Sequence, residues 1–310
     1  MSFDAADPVF SFLMDGDPVI RWQVMRDLID RPASEWEAER SLVSASGWGS
    51  SFLSAQRDDG SWPTGRWTGT VWTLLVLMDL GIPASSIDGT RAFNLVSERL
   101  MPEGMPVSPD VLFRQMDLCH LGFWLRIGSY FAPNDDRLPG LAKVILNLQM
   151  ADGGWNCRIR MKPKTCHSSF HTTFNVLEGL REACCCGVLS PADFEPVEAR
   201  AMEFMLDHRM FRSDKTGEIV SERFLHLTFP SHWHYTVLRG LDYVRATRFA
   251  RDERLGDALE WLVSRRKENG RWIVEKRIPG DTLFEMERLG GESRWNTLRA
   301  LRVLKSAGLF

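Results

Sequence analysis

The stretch Gln149-Met-Ala-Asp152-Gly153-Gly-Trp155 decides how the rest of the chain is interpreted. The same Q-x-x-D-G-x-W pattern occurs at Gln56–Trp62, and a weaker copy, with Arg for Gln and Asn for Asp, occupies Arg266–Trp272. A predicted helix precedes each copy, and an apolar segment follows it. Asp-Gly or Asn-Gly forms the turn, because glycine tolerates positive φ and the Asp or Asn side chain bonds to nearby backbone. Repeated turns of this kind indicate a repeat architecture.

The composition is typical of a globular chain and argues against several classes of protein. Of the 310 residues, 44% are hydrophobic and 25% are charged, which is enough for one large core. The net charge of -3 and the lack of a basic run give no support for a nucleic-acid partner. The longest apolar run, Val71–Met78, is too short to span a bilayer, so no transmembrane segment is expected.

The cysteines and the first residues predict the cellular compartment of the protein. Six cysteines, three of them adjacent at Cys184–Cys186, do not have the spacing of a disulfide scaffold. The first seven residues are acidic rather than basic and lack a signal-peptide core. We therefore expect a reducing, cytoplasmic setting.

Two sets of helices alternate along the chain. Six apolar segments, aligned on a Leu or Ile near the end of each, predict buried helices: Arg21–Leu28, Val71–Leu80, Asp117–Ile127, His171–Leu180, His232–Leu241 and Trp295–Leu304. More polar segments predict outer helices: Asp7–Met14, Ser34–Ser44, Ser86–Leu100, Arg137–Leu148, Pro191–Leu206 and Asp252–Arg265. Period-2 patterns are sparse, so strands have little support. The pattern predicts an all-α domain over residues 1–310, closed as a double ring, with an open solenoid as the alternative.

The Q-x-x-D-G-x-W copies, each ahead of a buried helix, resemble the repeats of squalene–hopene cyclases and protein prenyltransferase β-subunits. The resemblance covers at least Gln56 to the C-terminus and implies an (α/α)6 toroid whose inner helices line a cavity. It also implies a structural role for the Gln and Trp of each motif. Fold alone does not fix function. The Asp-x-Asp-Asp acid of class II cyclases is absent, since the sequence offers only Asp58-Asp59 and Asp135-Asp136.

A zinc site follows from the same resemblance. Protein prenyltransferases bind zinc through Asp-x-Cys on one inner helix and a His on a later one. Asp117, Cys119 and His171 match that triad, although here the His comes from the immediately following helix. Those enzymes are completed by a partner subunit. Such a subunit is possible here, but the sequence does not indicate one. The resemblance thus implies Zn²⁺ as cofactor.

The residues themselves extend this cluster. Cys157 follows Trp155 by two, and His167 and His171 stand four apart, which would place both on one side of a helix. Thiolate and imidazole suit zinc best. The alternative is a purely structural role, in which the cysteines are small buried hydrophobic residues and the histidines hydrogen-bond to backbone at the start of a helix.

Two further segments predict cavity residues. His232 and Trp233 begin one predicted buried helix together with His234, and Arg294 and Trp295 begin the last. Arg294 would pair with an anionic ligand, or with Glu285 or Glu287 in a buried salt bridge. Trp and Phe would offer apolar surface and π-faces to a ligand, or serve as core.

These observations lead to one hypothesis and two rivals. The leading hypothesis is a zinc-dependent transferase or cyclase acting on a hydrophobic, isoprenoid-like substrate in the cavity. Its zinc ligands would come from Cys119, His171, Asp117, Cys157 and His167, with His167, His234 and Asp117 as catalytic groups. The first rival is a non-catalytic toroid that binds a lipid or a protein partner. The second is a metal-free terpenoid cyclase with a His or Glu acid.

Overall fold

The computed structural model describes residues 7–309, and this part of the chain is mostly helical. The α-helices are α1 (Pro8–Met14), α2 (Pro18–Asp27), α3 (Ala33–Ser41), α4 (Gly47–Ser54), α5 (Thr70–Leu80), α6 (Gly89–Ser97), α7 (Pro109–Gln115), α8 (Leu118–Phe131), α9 (Arg137–Asn147), α10 (Phe170–Cys185), α11 (Pro191–Asp207), α12 (Val237–Val244), α13 (Gly256–Ser264) and α14 (Arg294–Ser306). One short antiparallel pair, β1 (Trp272–Ile273) with β2 (Glu292–Ser293), was not expected from the sequence. The all-α prediction is confirmed at the level of helical content.

Helix burial alternates along the chain as the apolar pattern predicts. In α5, seven of the eleven residues are buried, and Gly81 ends the helix in the left-handed conformation at φ 82°. In α3, by contrast, no residue is buried. A helix that is apolar on all sides must be surrounded by other elements, whereas an amphipathic helix needs contacts only along its apolar stripe.

The mainly buried helices contact one another in chain order. The indole N–H of Trp22 in α2 donates to Leu80 O at the end of α5, at 3.1 Å. Helix α5 packs on α8, and α8 packs on α10. Arg239 of α12 pairs with Glu178 of α10 at 2.6 Å. Helix α14 packs on both α12 and α2, so the last of the six helices contacts the first.

Helices α8 and α10 run parallel at very close range. Cys119 lies beside Thr172 near their N-terminal ends, and Arg126 pairs with Glu178 further along. A Cβ atom on Gly179 would stand 2.3 Å from the carbonyl oxygen of Gly122, so both positions have room only for glycine. The N-terminal ends of the two helices therefore lie together, and their charged residues lie together one to two turns further on.

The three repeat motifs fold alike. Their tryptophans, Trp62, Trp155 and Trp272, are almost fully buried. Each indole N–H donates to the carbonyl ten residues earlier, at Phe52, Ile145 and Leu262, over 2.8 to 3.0 Å. The first motif residue bonds to the carbonyl of the turn glycine: Gln56 to Gly60, Gln149 to Gly153, and Arg266 to Gly270. The motif is a packing device in all three copies, and Arg replaces Gln there without loss of the contact.

Several predicted boundaries differ from the structure. The segment predicted as His232–Leu241 becomes helical only at Val237, because residues 231–236 are not helical, residues 232–233 form a turn, and His232 has φ 48°. The predicted inner helix at His171 begins at Phe170 and extends to Cys185. Helices α4 and α7 were not predicted, since both are short and neither has a sustained apolar period. Among residues 7–309, no helix is both long and apolar enough to cross a membrane.

Candidate functional site

Two cysteines meet where α8 begins. Cys119 is the second residue of α8, and Cys157 opens the short 3-10 turn Cys157–Arg160 that follows the motif tryptophan Trp155. Their sulfur atoms lie 3.2 Å apart. The turn is fixed by Asn156, whose side-chain oxygen accepts from the backbone N–H of Arg158 at 2.9 Å. The two predicted thiols are thus brought together from segments nearly forty residues apart.

The two thiols are not equivalent. Cys157 Sγ lies 3.2 Å from Cys119 Sγ and accepts from the Cys119 backbone N–H at 3.4 Å and from the Thr172 hydroxyl at 3.3 Å. Once Cys157 is ionised its sulfur can only accept, so the Cys119 thiol is then the donor. The bond from Cys119 lowers the pKa of Cys157, with Thr172 helping and burial opposing. The same bond, together with burial, raises the pKa of Cys119. Of the two thiols, Cys157 therefore ionises more readily and is the better nucleophile near neutral pH.

Asp117 does not join the thiols. It precedes α8 at the N-cap position, and its carboxylate is bound to Arg160 at 3.0 Å. The side chain is 43% exposed, so it faces the surface rather than the interior. Asp117 was predicted as a metal ligand or catalytic group, but its carboxylate is paired with Arg160 and not with the other predicted ligands. This ion pair joins the 3-10 turn to the start of α8.

His171 is held by a backbone bond. Its Nδ1 accepts from the N–H of Tyr235 at 2.8 Å, which places the ring hydrogen on Nε2 and leaves no free lone pair for a metal. Burial, with His234 and Arg239 nearby, lowers the pKa of His171 to about 4. The ring contacts Trp233 edge to face at 5.0 Å. In this arrangement His171 is a neutral, packed imidazole, and its backbone bond competes with the predicted role as a zinc ligand.

The predicted cavity residues His232, Trp233 and His234 form an aromatic layer. His232 stacks on Trp67 at 4.2 Å, and Trp233 stacks on His234 at 4.0 Å. Burial lowers the pKa of His232 to about 3 and also lowers that of His234. Both imidazoles are neutral at pH 7, so neither supplies a proton readily, as an acid catalyst would have to do.

His167 lies outside the helix that was expected to carry it. Because α10 begins at Phe170, His167 and His171 do not share a helix face. His167 stands instead beside His208 and Asp214, and one ligand atom of each of the three lies within 4.8 Å of the other two. In the described residues, the five predicted zinc ligands do not form such a group among themselves, so the structure brings only Cys119 and Cys157 together.

Arg294 and Trp295 also have packing partners. The Arg294 guanidinium donates to Phe12 O at 2.7 Å and lies over the Phe12 ring. Trp295 stacks on Phe229 at 4.4 Å, and Glu287 accepts its backbone N–H at 3.0 Å. The side chain of Arg294 thus fixes α1 to α14 and does not point to an anionic ligand.

The apolar recess beside this segment is small. It is lined by Phe52, Trp67, Phe229, His232 and Met286 and has a volume of about 30 Å³. Pockets that bury a drug-sized ligand have about 300–1,000 Å³. An isoprenoid chain does not fit in this recess, which is largely occupied by aromatic rings. The larger space between the same helices, about 290 Å³, is lined mainly by charged side chains.

Sequence reasoning missed a charged cluster further along the same helices. It comprises Asp27, Asp79, Arg126, Glu178, Arg181, Glu182, Arg239, Asp242, Arg245, Arg299 and Arg302. Asp242 accepts from Arg245, Arg299 and Arg302, which together outweigh burial and hold its pKa well below the usual range. Burial opposes the ionisation of Glu178, but Arg239 and Arg126 lower its pKa to about 2.

The signal for this cluster is present in the aligned sequence. Each predicted buried helix has a charged residue within two positions of its last aligned Leu or Ile, as Arg126 precedes Ile127 and Arg302 precedes Leu304. Charges recurring in otherwise apolar helices need partners, because an unpaired buried charge is costly. Such a pattern predicts that the charges of neighbouring helices pair with one another.

Comparison with known proteins adds no family to this description. No protein-family model matches the chain, and no curated protein matches it.

Proposed function

We propose that the chain is a group-transfer enzyme built on a closed (α/α)6 toroid, with the Cys157 thiolate as its nucleophile. The observation that carries the proposal is the 3.2 Å contact between the sulfur atoms of Cys119 and Cys157, which lowers the pKa of Cys157. Thiols of this kind are found at reactive sites, whereas structural buried cysteines are inert.

The toroid is supported by the order of helix contacts. Each of the six mainly buried helices contacts the next in chain order, and α14 contacts α2. The parallel course of α8 and α10 is what a ring of inner helices requires, because each outer helix returns the chain to the same end. The motif tryptophans have the packing role that the resemblance implies.

The thiol chemistry is supported by the donors around Cys157. A thiolate in water is solvated, whereas Cys157 has the Cys119 thiol, the Cys119 N–H and the Thr172 hydroxyl already in place. In the proposed step the Cys157 sulfur attacks an electrophilic carbon, a C–S bond forms, and the leaving group departs with the bonding electron pair. Three fixed donors keep the thiolate available without a separate base.

An apolar, isoprenoid-like electrophile is the substrate to test first, on the strength of the resemblance alone. It would approach Cys157 from the surface, because the sulfur is only partly buried and the apolar recess near His232 is too small for a chain. The family-type zinc triad does not fit, because His171 Nδ1 is bonded to Tyr235 and Asp117 is bonded to Arg160. No step is therefore assigned to a metal at the thiols.

The first test is the pH dependence of alkylation. Iodoacetamide reacts with the thiolate, so the rate at Cys157, followed by peptide mass spectrometry, is expected to rise at lower pH than the rate at exposed Cys185. Burial raises the pKa of Cys185, which makes it an internal reference. In Cys119→Ala the pKa of Cys157 is expected to rise, and a rise from about 7 to about 8 would slow the reaction at pH 7 by about fivefold.

A second test addresses transfer itself. Prenyl diphosphates and acyl thioesters are incubated with the protein, and an adduct on Cys157 is sought by intact-mass measurement, with Cys157→Ser as the control. In the first test, if the alkylation rates of Cys157 and Cys185 in wild-type protein depend on pH in the same way, the proposed role of Cys157 as nucleophile is refuted. A lipid that can be extracted from the purified protein, without any adduct on Cys157, would favour the non-catalytic toroid instead.

A further inference from the structure

We propose that His167, His208 and Asp214 form a zinc-binding site that is separate from the thiol pair. The three residues come from different segments: the stretch before α10, the C-cap of α11 and the loop that follows it. A ligand atom of each lies within 4.8 Å of the other two. This inference does not rest on the proposed thiol chemistry, because it uses none of the same residues.

Both imidazoles have the tautomer that a metal requires. His167 Nδ1 lies 2.8 Å from the carbonyl oxygen of Ser168, and His208 Nδ1 lies 2.7 Å from that of Phe204. A carbonyl oxygen only accepts, so each Nδ1 carries the hydrogen and each Nε2 has a free lone pair. Histidines that bind metals generally donate their other N–H to such a carbonyl or carboxylate, which fixes the ring.

Besides the proximity of the three residues, the side chain of His208 is an independent observation that points to a ligand. The residue is 4% exposed, and its Nε2 is buried without a hydrogen-bond partner. A buried acceptor without a partner is unfavourable, so a ligand at this point would satisfy it. The ring is immobilised between Phe204 at 4.5 Å and Phe170 at 5.4 Å, so Nε2 cannot turn to solvent without breaking this packing.

The spacing suits tetrahedral zinc. His208 Nε2 lies 3.4 Å from Asp214 Oδ1. In a tetrahedron with bonds of about 2.0–2.1 Å, neighbouring ligand atoms stand about 3.3 Å apart. Two nitrogen ligands and one carboxylate favour Zn²⁺ over Ca²⁺ or Mg²⁺, which prefer oxygen donors. Exposed His167 and Asp214 leave the fourth position on the solvent side.

The loop that carries Asp214 is already shaped for this contact. Arg212 and Ile219 form an antiparallel bridge, and Ser213 N donates to Glu218 O at 2.8 Å, so Asp214 sits in a closed turn. A bound metal would join this turn to the end of α11 and to the start of α10. We therefore expect zinc to stabilise the folded chain, because it binds the assembled site and not the separate segments.

The test is zinc titration of metal-depleted full-length protein by calorimetry. The expected result is one Zn²⁺ per chain and a rise in melting temperature of several degrees at saturation. His167→Gln and Asp214→Asn change exposed ligands, and each is expected to weaken binding by roughly 100-fold. His226→Gln and Asp207→Asn, which change a histidine and an acid outside the group, are expected to leave the affinity unchanged.

A cobalt substitution separates this site from the thiols. Co²⁺ bound by two imidazoles and a carboxylate gives visible bands without a sulfur-to-metal charge-transfer band in the near ultraviolet. Zinc binding that survives in His167→Gln but is lost in Cys157→Ser would overturn the proposal and assign the metal to the thiol pair. Absence of any saturable zinc binding would overturn it as well, whatever the alkylation of Cys157 shows.

Discussion

The two ends of the α8–α10 pair differ in how they satisfy buried polar groups. Near the N-terminal ends, Cys119, Cys157 and His171 are neutral or weakly ionising groups held by hydrogen bonds. One to two turns further along, Arg126 and Glu178 are fully charged and joined by ion pairs. The first end has a group whose reactivity can be adjusted by its donors, whereas the second has charges that fix helices relative to one another. The hydrogen-bonded thiols and the ion pair thus lie one to two turns apart on the same two helices.

The largest expected effect is at the charged end. Asp242→Asn leaves Arg245, Arg299 and Arg302 without the carboxylate that they share, and we expect a loss of about 3–5 kcal/mol in the free energy of unfolding. Urea denaturation followed by circular dichroism measures it. Asp207→Asn, which breaks an exposed pair with Arg254, is the control and should cost under about 1 kcal/mol. Equal costs for the two variants would show that the charged end does not fix the helices.

The next effect is at the contact that joins the two ends. Gly179→Ala puts a Cβ atom 2.3 Å from Gly122 O, so α8 and α10 must separate, at a cost of about 1–3 kcal/mol. Cys119 and Thr172 move apart with them, so the alkylation of Cys157 at pH 7 should also slow. Gly256→Ala, which has open space around the new methyl group, is the matched control and should not destabilise. A Gly179 variant as stable as the control would refute the close packing.

The two ends should respond to acid in different pH windows. His171 and His232 have folded-state pKa values lowered to about 4 and about 3, so the unfolded chain binds protons first as pH falls below about 6.5. Stability contributed by the neutral imidazoles is therefore complete above pH 6.5 and lost toward pH 4, by about 3 kcal/mol per ring. Glu178, with its pKa lowered to about 2, loses its contribution only as pH falls further, from about 4 toward 2.

The variant His171→Gln tests this separation. It removes one titrating ring while offering an amide oxygen to the Tyr235 N–H, so the slope of stability against pH between 6.5 and 4 should decrease. Urea midpoints at a series of pH values give that slope. If wild type and variant have the same slope, the histidine end does not control stability in this window.

The smallest effect is at the rim of the charged end. Asp79 is 41% exposed and shares Arg126 with Glu178, which is only 17% exposed. Asp79→Asn should therefore cost under about 1 kcal/mol, because Arg126 keeps its other partner. A cost close to that of Asp242→Asn would mean that the charges act as one network and not as separate pairs, and urea denaturation distinguishes these results.

Helices and repeats were predictable because they depend on local sequence. The apolar periods located the buried helices, and the Asp-Gly and Asn-Gly turns located Trp62, Trp155 and Trp272, whose indole bonds repeat the same local geometry. His167 was misplaced by only a few residues, yet this changed its partners from His171 to His208 and Asp214. A helix boundary is a small error in secondary structure and a large one for a metal site, because one turn decides which way a side chain points.

The helical content and the alternation of buried and exposed helices could be predicted from the sequence, and the structural role of the motif tryptophans was implied by the resemblance of the repeats. Periodicity and turn chemistry are properties of neighbouring residues, so they can be read along the chain. Only the tertiary structure decided that Cys157 lies against Cys119 and that His171 faces the Tyr235 N–H. It alone paired Asp242 with arginines from the last helix. These contacts join residues 38 to 64 positions apart, and their chemistry depends on distances and burial that arise only when the helices pack.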